Sequence, residues 1–209
     1  TVAGRKNRCF NFDQPFSVPN SWEVEWVDVP APHELGTFSR TYKRGGARFT
    51  RLEGCWSSDD FKQIFFLSTD GGVASKGQIF CYDVQEQKLT IIFDALAEHV
   101  ADYPDNFTIT PGGGFLLCED HPPDKSTMPQ RLLGMAPDGN VFPFAENRCV
   151  FEKPYRRAEG GYKKSFAGDF SKSEWAGACF SKDGQWLFVN IQTPGITLAI
   201  TGPWKDGEL

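Results

Sequence analysis

The chain has 209 residues, 40% of them hydrophobic, 14% aromatic and 23% charged, with a formal net charge of -5. That composition suits a folded globular chain and excludes a disordered one. The slight acidity, without long runs of one sign, excludes a basic face for phosphate-backbone binding, so no nucleic-acid partner is expected.

The first residue is Thr1, and no signal-peptide pattern follows it. No stretch approaches the roughly 20 apolar residues of a membrane span, so no membrane partner is expected either. Residues 1–48 show only weak alternation ("SWEVEWVDV") and are expected to supply outer strands or a tail. From residue 49 onward the pattern changes. Short runs rich in β-branched and aromatic residues follow one another: "QIFFLST", "GQIFCYDV", "KLTIIFDA", "NFTIT", "GFLLCED", "RLLGMA", "NVFPFA", "GACFS" and "QWLFVNIQ". Glycine-bearing turn signals ("TPGGG", "APDGN", "SKDGQ") join several of them. Only "DALAEHVADY", Asp94 to Tyr103, has a helix-like composition. The fold class is therefore all-β.

The runs repeat. Three units begin at Glu53, Asp105 and Glu174, each with an acid, a short strand, a Ser/Thr-bearing turn and a second strand with a polar end. Hairpins follow the first two units, which makes each a four-stranded meander, the form of one propeller blade. Residues 49–209 are thus expected to hold two complete blades and part of a third, about half of a β-propeller, which closes with about four to eight blades. The polar, basic stretch "EKPYRRAEGGYKKSFAGDFSKS" before Glu174 is expected to be an inserted mobile loop.

The acids are the chemical signal. In a propeller the first strand of each blade lines the central channel, so Glu53, Asp105 and Glu174 would converge near one mouth. Asp70, and Glu119 with Asp120, close second strands nearby in sequence. Several carboxylates within a few ångströms need a cation. Oxygen ligands in that number suit Ca²⁺, Mg²⁺ or Mn²⁺, with iron as a further option. The three histidines have no metal-ligand spacing. The six cysteines form no C-x-x-C pair; Cys55, Cys81, Cys118 and Cys179 lie in strand-like runs and read as buried thiols. "STDGG", Ser68 to Gly72, reads either as an anion cradle built from backbone N–H groups or as a plain tight turn.

Taken together, "FTRLEGCW", "FFLSTDGG", "GQIFCYD", "YPDNFTITPGGGFLLCED", "MAPDGNVFPFAEN", "EWAGACFSKDGQWLFVNIQTPGIT" and "ITGPW" resemble the PhoX family of alkaline phosphatases and its DUF839-type relatives. The resemblance runs from Phe49 to Trp204 and matches the family's C-terminal half. It implies a six-bladed propeller hydrolase acting on phosphate esters, with calcium and iron in the channel and a periplasmic or extracellular location. It implies Glu53, Glu119 and Glu174 as metal ligands, with Asp70 and Asp105 as further carry-overs. The family's "NNC"-like and "TPWGT…EE" phrases are absent, so the resemblance implies a fragment with an incomplete active site, completed by a missing propeller half or by self-association. Two other readings stay open from the residues: a non-catalytic propeller that binds a ligand or partner at an acidic channel face, and a sugar-lactonase-like propeller.

Overall fold

The computed structural model describes residues 10–122, 124, 126–155, 166–204, 206, 207 and 209. Among them are 14 strands and one short helix. The chain divides into two units, residues 1–105 and 106–209.

The first unit holds β1 (Asn20–Glu23), α1 (Thr37–Lys43), β2 (Leu52–Ser57), β3 (Gln63–Ser68), β4 (Gln78–Asp83) and β5 (Lys88–Asp94). Its sheet runs β1-β5-β4-β3-β2, so β2 to β5 form the expected meander and β1 adds to the outer edge. β5 shows the half-buried alternation clearly: Leu89, Ile91 and Phe93 are buried between less covered neighbours. An aromatic cluster covers this sheet. Phe12 stacks on Phe49 at 4.6 Å between ring centroids and meets Phe80 edge-on at 5.2 Å. Phe10, Phe16 and Trp22 extend the cluster. Segment 94–103 is not a helix. β5 runs on through Asp94, and only one turn follows, with Val100 and Ala101 donating to Ala97 O. A segment this short lacks the length to overcome helix nucleation.

The boundary between the units falls inside β6 (Pro104–Ile109), whose ladder belongs to the sheet β6-β7-β8-β9. Its other strands are β7 (Phe115–Glu119), β8 (Arg131–Met135) and β9 (Val141–Glu146). Every residue of β7 and β8 is buried; the runs are apolar except for Glu119 at the end of β7 and Arg131 at the start of β8. β10 (Val150–Tyr155) pairs with β11 (Phe166–Asp169), and β12 (Trp175–Phe180), β13 (Trp186–Ile191) and β14 (Ile196–Thr201) form the last sheet. The two ends of the expected loop 152–173 are therefore strands; residues 156–165 lie outside the described ones. The charged residues between β10 and β11 had hidden their alternation.

Leu116, Cys118 and Leu132 of the second sheet share one core with Trp175, Leu187, Val189 and Ile191 of the last. Each fully buried leucine there contributes about 1.5–3 kcal/mol through water exclusion. This packing brings β7 against β12.

The repeat is visible at atomic level. Ser58 Oγ and Ser181 Oγ each donate to an aspartate two residues on, Asp60 and Asp183. Each also accepts the N–H five residues on, from Gln63 and Trp186. Thr110 Oγ1 plays the same part for Gly114 N–H in the middle unit. Gly113 and Gly184 take the left-handed bend, at φ 87° and 69°. Exposed Phe61 holds that position in the first unit at φ 56°.

This turn also aligns the repeats. Glu53 and Asp105 each stand five residues before the turn hydroxyl, whereas Glu174 stands seven before it. The three acids are therefore not equivalent: Glu174 matches Arg51 in the first unit. Cys55 is exposed rather than buried, and Cys179 is half-buried; Cys81 and Cys118 are buried as expected. Cys9 lies outside the described residues.

Candidate metal centre

The sequence singles out five acids, and the structure treats them differently. Glu53 and Asp70 flank one cation. Arg51 Nε donates to Glu53 Oε1 at 2.5 Å, and its Nη1 lies 3.4 Å from Asp70 Oδ1. Arg51 itself sits in the left-handed region at φ 54°, a conformation that non-glycine residues adopt only when the surroundings enforce it. These two acids are neutralised within the first unit by an arginine two residues before Glu53.

Glu119 is fully buried at the end of β7. Its carboxylate faces Arg131, which is 2% exposed, at the start of β8. Arg131 Nη2 donates to Oε1 at 2.6 Å, its Nε donates to Oε2 at 2.8 Å, and its backbone N–H reaches Oε2 at 3.2 Å. Two oxygens thus meet a guanidinium fork, the strongest ion-pair geometry available to a carboxylate. A carboxylate at the end of a fully buried strand needs such a partner.

Asp105 and Glu174 do come together, and the third member is Asp120, the residue after Glu119. One oxygen from each of Asp105, Asp120 and Glu174 lies within 4.8 Å of the others. Asp105 is the second residue of β6, Asp120 follows β7, and Glu174 precedes β12. The packing of β7 against β12 closes the group. Gln192 N–H donates to Glu174 O and holds the backbone at that corner. All three side chains are half-buried. Asp120 was legible as an acid closing its unit, but nothing in the sequence distinguishes it from Glu119. Side-chain alternation does so afterwards: adjacent residues leave a strand on opposite faces.

A polar recess of about 310 Å³ opens beside Asp120 and Glu174, lined also by Gln130, Lys172, Ser173 and Thr193. Oxygen atoms dominate the trio, with no sulfur or imidazole in it. Two ligand oxygens on opposite sides of a calcium ion stand about 4.6–5.2 Å apart. Three oxygens within 4.8 Å of one another are close enough to share one hard cation.

The anion reading of Ser68 to Gly72 fails. The space a side chain would need at Gly71 and Gly72 is taken by Ser68 Oγ, Gln78 Oε1 and Asp94 Oδ1. The Gln78 and Asp94 oxygens would repel an anion there, and the Ser68 hydroxyl is spent on Thr50 O. Gly71 N–H is used internally, donating to Ser68 O, so the segment is a tight turn.

The family model described as Alkaline phosphatase PhoX matches residues 8–195. Among solved structures, the chain is similar to one provisionally described as a 6-phosphogluconolactonase from Bacteroides uniformis, with 15% identity and a TM-score of 0.43. That likeness covers 76% of this chain, which spans 40% of the other. No curated protein matches the chain.

Proposed function

Because the chain belongs to the PhoX family of alkaline phosphatases, we propose that it carries part of the active site of a metal-dependent phosphomonoesterase. The supporting observation is the convergence of Asp105, Asp120 and Glu174 beside a polar recess. Their donor set fits calcium. A cation bound there supplies Lewis-acid polarisation of a phosphoryl oxygen.

The chain's own residues have separable roles in this reading. Asp105, Asp120 and Glu174 hold the cation from three different strand ends. Lys172, at the recess, offsets their charge and attracts the phosphate ester. Ser173 is oriented by Thr193, whose N–H donates to its Oγ at 2.8 Å. The ion pair of Glu119 with Arg131 fixes the rung from which Asp120 projects. Glu53 and Asp70 hold Arg51, and either would have to release it to take a metal. Iron is the second metal that the resemblance implies; the family phrases absent from this sequence would contribute metal bridging and phosphate contacts, so turnover by this chain alone would be weak. A periplasmic or extracellular location follows the family. Among the described residues no helix is long and apolar enough to cross a membrane.

The test is phosphate release from an aryl phosphate by this chain, with calcium and iron present, before and after chelation. Metal-dependent release that Glu174→Gln abolishes supports the reading. Cation binding with no turnover, even after the upstream family half is added, favours the non-catalytic ligand-binding alternative. Lactone hydrolysis indifferent to phosphate would refute it.

A further inference from the structure

The recess beside Asp120 and Glu174 is also lined by Gln130, which holds a buried polar atom that the proposed chemistry leaves unexplained. Cys118 pairs with Leu132 across β7 and β8. Asp120 and Gln130 follow and precede those strands, and the same register continued two steps would set them opposite each other. The rung between is visible in the bonds from Arg131 to Glu119. Residues directly opposite on antiparallel strands share a face, with Cβ atoms about 4.5–5.5 Å apart. Gln130 also lines the recess that Asp120 and Glu174 line.

Gln130 is 1% exposed. Its Nε2 donates to His121 O at 2.8 Å and lies 3.4 Å from Lys172 O. Both partners are carbonyls, which only accept, so the amide orientation is settled: nitrogen towards them and oxygen away. That oxygen, Oε1, is buried and accepts no hydrogen bond among the described residues. A buried amide oxygen without a partner is costly and calls for an occupant.

We propose that Gln130 Oε1 is a fourth oxygen of the cation position formed by Asp105, Asp120 and Glu174, and that this neutral donor tunes the position for calcium. The inference rests on the proposed cation site. Calcium accepts six to eight oxygens, amide carbonyls among them, at variable angles. A neutral carbonyl adds a ligand without adding to the repulsion among three carboxylates. Water and substrate oxygens fill the remaining positions from the recess.

The experiment uses the 209-residue chain, with CaCl₂ titrated calorimetrically and TbCl₃ as a luminescent probe whose lifetime counts bound waters. Gln130→Met removes the oxygen and nearly keeps the volume. Gln130→Asn keeps an amide but draws it back by one methylene, and carries the same arm if Gln130→Met does not fold. The expected result is about tenfold weaker calcium binding and about one more water on terbium. Gln130→Glu, which keeps an oxygen on the same stem, retains calcium affinity. If Gln130 serves only as a donor to His121 and Lys172, all three variants lose thermal stability in chelator while the calcium Kd stays put; that result overturns the inference. A wild-type chain that binds no calcium overturns the cation site as well. Binding weakened by Glu174→Gln but untouched by Gln130→Met and Gln130→Asn overturns the role of Gln130 alone.

Discussion

Replacing Glu119 by Gln separates a structural carboxylate from a ligand. In the folded chain Glu119 is inaccessible and bonded to three donors of Arg131, itself almost fully buried. Removing one partner of a buried pair leaves the other charge uncompensated, which costs about 3–5 kcal/mol. The Gln side chain keeps one acceptor for the guanidinium, so the expected loss lies near the lower end, about 3 kcal/mol. With a urea m-value of about 1–3 kcal/mol/M, the midpoint falls by about 1–3 M. The assay is urea unfolding in excess chelator, followed by tryptophan fluorescence. Trp175 is a suitable reporter, being buried with its Nε1–H donating to Gln130 O, next to Arg131. The double variant Glu119→Leu with Arg131→Met should recover most of the loss, because paired apolar side chains often replace a buried ion pair at little cost. A midpoint that barely moves in Glu119→Gln, together with a clear fall in cation affinity, would refute this reasoning and return Glu119 to the ligand set.

Two further outcomes follow from burial. Burial raises the pKa of Asp94 above its ordinary value, with a hydrogen bond from Gln78 opposing the shift. A carboxyl whose folded pKa is raised contributes stability below its unfolded pKa and loses it as pH rises through the folded value. Asp94→Asn should therefore gain stability over the wild type as pH goes from about 3.5 to 7; denaturation midpoints across that range check it, and a constant or shrinking gap contradicts it. Burial first, and then the charge of Asp83, push the Cys81 thiol up to about 11, while Cys55 is exposed. Thiol alkylation at about pH 8 should mark Cys55 first and Cys81 only after unfolding; peptide mapping showing equal rates would oppose this.

Much of the strand pattern was legible because each meander announces itself locally. Glycine turns and β-branched runs mark β3 to β9, β12 and β13 without help from tertiary contacts. β10 and β11 were not legible, since their register depends on a partner strand across a charged segment. The exposed Cys55 shows the same limit: its run looks apolar, but β2 lies at the edge of its sheet. At the candidate site, residue type was legible and pairing was not. Asp105 and Glu174 were visible as strand-opening acids. The choice between Glu119 and Asp120 depends on which face of β7 each leaves, and on Arg131 arriving from β8. Glu174 falls out of step with Glu53 and Asp105 because the turn hydroxyls Ser58, Thr110 and Ser181, not the acids, are the fixed points of the repeat.

A divalent cation held by Asp105, Asp120 and Glu174 would be directly visible. Anomalous diffraction from crystals of the chain grown with calcium, and then with manganese as a stronger scatterer, tests it most directly. A peak is expected among the three carboxylates, with calcium–oxygen distances of about 2.3–2.6 Å, lost in Glu174→Gln. A well-ordered trio with no peak, or a peak at Glu53 and Asp70 with Arg51 displaced, would contradict it.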